Sequence, residues 1–327
     1  MHLPRHIGRA TGTVGALCAL YGAAGLLAST VPVENRFVVL LAGRTPSLLL
    51  MALFGAVVAT LGRRWLAAAA CLVVCTLGVW LLAPLYLPGA GGISPTATGP
   101  TVRVMQANVK VGQADPEALV HTVRDRGVDV LTVQELTDES IEALDVAGLD
   151  DVLPHRFVVS YGPGGQGGGI YSRFPLANTR NLPGFLSANL AADIEVGLRE
   201  PLALLMVHPA PAYLFPAQLW AAELRGIHDE MLAVAGRDNV VVSGDFNADY
   251  TQPQYRALLT DGYADAADQV GAGLVPTMPA SRWYPAVTGI DRVVTKGAVV
   301  TSLERIDIAG SDHHGLVADV GLSTDGS

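Results

Sequence analysis

Lysine is almost missing from this chain: Lys110 and Lys296 are the only two in 327 residues. From Thr101 onward there are 15 Lys and Arg against 29 Asp and Glu, a charge near −14, and no three basic residues cluster. A long electrostatic footprint on duplex nucleic acid needs many Lys and Arg on phosphates, so this composition argues against one. Cysteine is scarce as well, and Cys18, Cys71 and Cys75 all lie in uncharged apolar runs. The polar part of the chain therefore has no disulfide framework, no thiol nucleophile and no thiolate ligand for zinc. At about 225 residues it is long enough to bury a core without cross-links. Acid is nearly absent before residue 100, where Glu34 stands alone among six Arg.

Charge as a whole is low, 16% of residues, and half of the chain is hydrophobic. The excess sits in residues 12–29, 46–62 and 65–83, which hold no Asp, Glu, Lys or Arg. Each is close to the 17 to 25 residues that cross a bilayer as a helix, so three transmembrane helices are expected in a membrane domain over 1–87. The first run alone, flanked by Arg5 and Arg9, would pass for a signal peptide, but two further spans favour a membrane domain. Arg5 and Arg9 precede the first span and Arg63 with Arg64 separates the second from the third. The positive-inside rule puts both on the cytoplasmic side, and everything after about residue 86 outside. Residues 88–101, PGAGGISPTATGPT, read as a flexible linker, and 102–327 as the second domain.

That domain alternates strand and helix patterns. Strands are expected at 102–107, 129–133, 202–207, 240–243, 292–295 and 316–320, and helices at 116–126 and 215–235, where Pro116 and Pro216 suit helix starts. Five of the strands have a polar residue at or just beyond one end: Asn108, Glu135, His208, Asp245 with Asn247, and Asp291. A sixth group, Ser311, Asp312, His313 and His314, precedes the last strand. Polar groups gathered at strand ends converge on one rim of a sheet, where such proteins build their sites.

In order along the chain stand QANVK, VQEL, GGIYSRFPL, VHPAP, SGDFNAD, GIDRVV and GSDHHGL, spread over 101–321. This ordered set resembles the endonuclease/exonuclease/phosphatase superfamily, the deoxyribonuclease I-like proteins, and the apolar leader resembles that of membrane-anchored bacterial members. The resemblance implies an α/β fold, a four-layer sandwich of two mixed β-sheets flanked by helices, here preceded by the three spans. It also implies a metal-dependent phosphoric ester hydrolase.

The residue types suit that chemistry. Mg²⁺, with Mn²⁺ as the alternative, takes oxygen ligands, keeps several waters and needs one or two carboxylates. Glu135 and the carbonyl of Asn108 are the expected anchor, and Asp312 a further oxygen. His313 is the expected general base, with Asp291 against its other nitrogen to fix the tautomer and stabilise the imidazolium. Asp245 and Asn247 are expected to hold the attacking water and a phosphoryl oxygen. His208 would stabilise developing charge or protonate the leaving group, and some relatives pair this His with a Glu that the segment 151–173 lacks.

Arg173 reads equally as a phosphate contact or a partner to a carboxylate. Trp283, beside Tyr284, reads as a stacking surface for a base or lipid headgroup, or as core. His314 points to the opposite face from His313, and GPGGQGGG at 162–169 reads as a hairpin tip. The expected activity is a membrane-tethered, extracytoplasmic phosphodiester hydrolase, nuclease-like on nucleic acid. A phospholipid phosphodiesterase, a phosphomonoesterase and a non-catalytic binding protein on the same fold are the alternatives.

Overall fold

A computed structural model describes residues 5–89 and 97–324. Of the expected linker 88–101, residues 90–96 lie outside the described residues, as do 325–327 at the end of the second domain. The N-terminal part holds α1 (Arg5–Ala28), α2 (Arg36–Gly43), α3 (Thr45–Leu61) and α4 (Trp65–Leu82), the last running into a 3₁₀ turn at Ala83–Tyr86. Two stretches, Gly8–Ala28 and Trp65–Tyr86, are long and apolar enough to cross a membrane. The expected middle span is different. The chain bends by 63° between α2 and α3, so a third span exists only if this bent pair is counted as one. Pro46 lies in the first turn of α3 and has no N–H to donate back to Ala42 O, so α2 does not run on into α3 and the break falls at Arg44. The 17 residues of α3 rise about 25 Å at 1.5 Å each, short of a hydrocarbon core of about 30 Å. The helices approach closely through small residues: a Cβ on Gly55 would lie 2.4 Å from the Cβ of Cys18.

The rest of the chain builds two six-stranded mixed sheets. One contains β1 (Thr101–Asn108), β2 (Val130–Leu136), β3 (His155–Val159), β4 (Gly167–Ser172), β11 (Val299–Asp307) and β12 (His314–Gly321). Its order is β11-β12-β1-β2-β4-β3. The other contains β5 (Leu176–Asn181), β6 (Leu190–Ile194), β7 (Leu202–Val207), β8 (Val240–Asp245), β9 (Ala264–Asp265) and β10 (Asp291–Lys296), in the order β5-β6-β7-β8-β10-β9.

Each sheet has one parallel pair at its centre, β1 with β2 and β7 with β8. A parallel pair needs a crossover, and α5 (Pro116–Asp125) and α7 (Ala217–Ala233) supply it. Helix α5 starts where the Asp115 side chain accepts from Ala118 N at 3.0 Å, with Pro116 at its first position. Helix α6 (Asp138–Val146) follows β2 behind a Thr137–Ser140 capping box.

Alternation along the strands sorts the core into three zones. Val104, Val130 and Ile170 meet Leu204, Met206 and Val241 between the sheets. Leu131 and Val133 face the other way onto Leu119 and Val123 of α5. Leu205 and Val242 face Trp220 and Leu224 of α7. The layers are therefore helix, sheet, sheet, helix, and each fully buried Leu, Ile or Val contributes about 1.5–3 kcal/mol.

The two parts of the chain touch. Val39 of α2 and Leu85 lie in the same core as Trp220 and Leu224. Thr251 Oγ1 donates to Ala42 O at 2.7 Å, Gln252 Nε2 to Val39 O at 3.0 Å, and Arg225 pairs with Glu34 at 2.5 Å. Both described ends of the expected linker also bond to the second domain: Gly89 N to Asp268 O at 3.3 Å, and Gly99 N to Leu322 O at 2.8 Å.

Candidate active site

Parallel β1 ends at Asn108, its partner β2 ends at Leu136 with Glu135 as its last residue but one, and β7 ends just before His208. Strand β8 ends at Asp245, directly across from Asp291 at the start of antiparallel β10. Strand β12, antiparallel to β1, begins just after His313. One rim shared by both sheets thus collects six of the expected residues: Asn108, Glu135, His208, Asp245, Asp291 and His313.

Two backbone features shape it. Strict alternation would put Glu135 on the face of Leu131 and Val133, under helix α5. Instead the register of β2 slips between Gln134 and Leu136, and Glu135 takes φ 63°. A bulge of this kind re-aims a side chain, here at a cost of about 1–3 kcal/mol for the left-handed residue. Gly244 allows β8 to pass β7 closely, since a Cβ there would lie 2.1 Å from Val207 O.

Glu135, His208 and Asp245 bring one ligand atom each to within 4.8 Å of one another, and Asp245, Asp291 and His313 do the same. His208 Nε2 is 3.9 Å from Glu135 Oε1 and 4.0 Å from Asp245 Oδ2. Its buried Nδ1 has no hydrogen-bond partner. A carboxylate-rich set with one or two imidazoles fits a hard divalent cation.

His313 Nδ1 lies 2.9 Å from Asp291 Oδ2 and 3.9 Å from Asp245 Oδ2. Burial alone would lower its pKa, but the adjacent Asp291 carboxylate, with Asp245 and Asp312, carries it up to about 10. Asp245 is raised to about 7, first by burial and then by the charge of Asp291, against the pull of His313. His208 is lowered by burial, opposed by Glu135, and is neutral at pH 7.

Asn108 was expected to offer an oxygen. Its carboxamide nitrogen donates to Glu135 Oε1 at 3.0 Å and to Asp245 Oδ2 at 3.1 Å, and its Oδ1 accepts from Lys110 N. Its backbone carbonyl accepts from Ser311 Oγ at 2.7 Å. Asn108 therefore orients two carboxylates, and each of its oxygens accepts one hydrogen bond and keeps a second lone pair. Asn247 N donates to Asp245 Oδ1 at 2.8 Å and its side chain to Pro209 O at 2.9 Å. Asp312 is half-buried beside the cluster and joins neither ligand group.

Arg173 lies elsewhere. It follows β4, whose Ser172 pairs with Val130 at the start of β2, and it bonds to Asp129 at 3.0 Å. Five residues of strand, about 17 Å, separate that end from Glu135, so the carboxylate alternative holds and the phosphate contact does not. Trp283 is 95% exposed and stacks edge-on with Tyr284, which removes the core alternative. His314 sits 2.8 Å from Asp307, away from His313's carboxylates.

Several contributors were not expected. Gln106 Nε2 donates to Asp291 Oδ1 and to Gln134 Oε1, each at 2.7 Å, holding the carboxylate that faces His313. Asn189 Oδ1 accepts from His208 N at 2.8 Å and Asn189 Nδ2 donates to His208 O, so an Asn steadies this histidine where a Glu is lacking. The available signal was a carboxamide at an inward position of an otherwise apolar strand, in VMQAN and in TVQEL.

Residues 105–313 match the model of the Endonuclease/Exonuclease/phosphatase family. No curated protein matches the chain. Among solved structures, TDP2 of D. rerio complexed with single-strand DNA product is 17% identical, with 67% of this chain and 98% of that one covered at TM-score 0.55. An endonuclease/exonuclease/phosphatase from Beutenbergia cavernae is 22% identical, with 68% and 72% covered at TM-score 0.53. At these identities the likeness is one of fold.

Proposed function

The chain belongs to the Endonuclease/Exonuclease/phosphatase family and is a metal-dependent phosphoesterase, and from that premise we propose that it hydrolyses phosphodiesters at a membrane surface with Mg²⁺ or Mn²⁺. The observation that carries the reading is the 2.9 Å contact between His313 Nδ1 and Asp291 beside the carboxylates of Asp245 and Glu135. Glu135 and Asp245, with His208 at their edge, would hold the cation, which supplies charge neutralisation at the phosphoryl oxygens. Asp291 accepts from Nδ1 of His313 and so leaves Nε2 to take the proton of the attacking water. Asn108 keeps Glu135 and Asp245 apart and aimed. Asn247 presents its backbone and carboxamide at the same rim, and neutral His208 adds a polar contact for charge that develops on phosphate. Gln106 keeps Asp291 in register with the imidazole.

Turnover of a panel of phosphodiesters and phosphomonoesters by the purified full-length protein, with and without Mg²⁺, tests the reading. Mg²⁺-dependent cleavage of diesters is expected, and inertness of wild type toward every member would end it. The DNA product in the D. rerio TDP2 structure supports nucleic acid as one substrate class to include. With two lysines and an acidic second domain, contact with about one to three phosphates is expected, a salt slope of about −1 to −3 on a log–log plot. A slope steeper than about −4 on long DNA, with small diesters inert, would mark a dedicated duplex nuclease.

The same reading places the site outside the cytoplasm. Arg64 Nε donates to Gly8 O at 2.5 Å, which puts the Arg63–Arg64 turn at the end of the bundle where α1 begins. Glu34, at the other end, pairs with Arg225 of α7. A reporter fused after residue 327 is expected to behave as extracytoplasmic and one inserted at the Arg63–Arg64 turn as cytoplasmic. The reverse pattern would invert the topology.

A further inference from the structure

A cavity of about 390 Å³ lies where α2 and the start of α3 meet the catalytic rim. One wall is Leu40, Gly43 and Arg44 from the apolar leader, and the other includes Tyr213, Asn247, Arg282 and Tyr284. Asn247 belongs also to the hydrolytic cluster, through its 2.8 Å bond to Asp245. Tyr213 feels that cluster too: burial, then the charges of Asp245, Glu135 and Asp312, push its phenol up to about 12. The cavity therefore borders the site: Asn247, two residues beyond Asp245, and Ile290, next to Asp291, both line it. Its leader wall falls outside residues 105–313, the part of the chain that matches the family.

Charge and apolarity together define what fits. Arg44 and Arg282 are exposed, and among the described residues neither guanidinium has an ion pair or hydrogen bond. The nearest buried acid of the wall, Asp249, is already engaged: Thr251 N donates to it at 3.0 Å and Gly289 N at 3.1 Å. In a domain this acidic, two unpaired guanidiniums at one cavity provide a localised place for an anion. Apolar side chains flank them in sequence. Phe37, on the same short helix as Leu40, is 82% exposed, and Trp283, between Arg282 and Tyr284, is 95% exposed. Aromatic residues beside basic ones, next to the first turn of the apolar helix α3, suit the headgroup level of a bilayer.

We propose that this cavity is a subsite for an anionic phospholipid, whose phosphodiester lies between the His313–Asp291 pair and the guanidiniums of Arg44 and Arg282 while its remaining polar group fills the cavity. The inference rests on the phosphodiesterase reading and names its substrate class. Hydrolysis then consumes one water: its oxygen joins phosphorus, one P–O ester bond breaks, and a phosphomonoester and an alcohol leave. A short polar span from bilayer to cluster also explains why no long basic track is needed.

The test uses the full-length protein with Mg²⁺, phosphatidylglycerol vesicles, phosphatidylcholine vesicles, a single-stranded oligonucleotide and soluble bis(p-nitrophenyl) phosphate. Wild type is expected to cleave phosphatidylglycerol in preference to phosphatidylcholine. In the double variant Arg44→Gln, Arg282→Gln the ratio of kcat/KM on phosphatidylglycerol to that on the soluble diester is expected to fall about tenfold or more, the loss of a charge-assisted hydrogen bond. Arg44→Lys with Arg282→Lys, which keeps the charge, is expected to restore part of the ratio. Remaining turnover of the soluble diester shows that each variant folds. An unchanged ratio overturns the subsite, and so does cleavage of oligonucleotide and soluble diester with phosphatidylglycerol inert, and in both cases the phosphodiesterase reading stands. Wild type inert on all four overturns both.

Discussion

Replacing His313 with Ala is expected to lower kcat on phosphodiesters by about 10² to 10⁴, the usual worth of a positioned general base. The imidazole has one strong partner, Asp291 at 2.9 Å, so Asp291→Asn is expected to act in the same direction by releasing the ring's orientation and its charge support. Because the two act as a unit, the double variant should cost little more than either single one. Both side chains are buried, and Ala at 313 leaves a void, so His313→Gln is the companion variant that keeps volume while removing the base. Circular dichroism and thermal melting of each variant separate lost chemistry from lost fold. Asp245→Asn is expected to be as damaging as His313→Ala. If all of these keep near wild-type rates with native melts, the site is assigned to the wrong residues.

The sequence exposes most of this site for a simple reason. A strand that must be apolar on both faces makes any polar residue at its end conspicuous, and Asp245 after three valines is the clearest case. Glu135 was visible by type and position, but not the slip in β2 that turns it to the rim, because a one-residue bulge leaves no mark on the alternation before it. Arg173 was ambiguous since a strand pattern gives no direction. Only the pairing of Ser172 with Val130 reveals that this arginine lies at the far end of β2. Gln106 and Gln134 pass in a linear reading as tolerated polar residues, and the bond from Gln106 to Asp291 needs β10 of the other sheet.

The leader shows the same limit: hydropathy finds the apolar runs, and Pro46 marks a break near Arg44, but the 63° size of the bend is set by packing. Val39 and Ala42 of α2 are drawn onto the second domain, while α3 packs among α1 and α4. The walls of the cavity come from segments about 170 to 250 residues apart in the chain, a juxtaposition no local pattern encodes.

Addition of about 10 mM Mg²⁺ is expected to raise the melting temperature of the full-length protein, and to raise it more at pH 8 than at pH 5. The sign follows from the two shifted groups. Folding raises Asp245 from an ordinary value of 3.8 to about 7, by burial and then by Asp291. It raises His313 from 6.5 to about 10, the carboxylates outweighing burial. A group whose folded pKa is raised contributes stability that is complete below its unfolded pKa and lost as pH climbs through the folded one. Without a cation the protein should therefore lose stability between about pH 4 and 7 through Asp245, and between about 6.5 and 10 through His313.

A cation among Glu135 and Asp245 needs the ionised Asp245, so it competes with the proton at pH 5 and meets little competition at pH 8. At a free concentration of 100 times Kd the linkage is about 2.7 kcal/mol, a rise of about 5 to 10 °C for a domain of this size. The same charge offsets the carboxylates around His313 and so lowers its pKa, freeing the imidazole to act as a base. Glu135→Gln is expected to shrink the Mg²⁺ shift and to recover activity in part at higher Mg²⁺, whereas His313→Ala should keep most of the shift and recover none. Scanning fluorimetry across pH 5 to 9, with and without Mg²⁺, decides it: an equal shift at both ends, or one that survives in Asp245→Asn, would place the cation elsewhere.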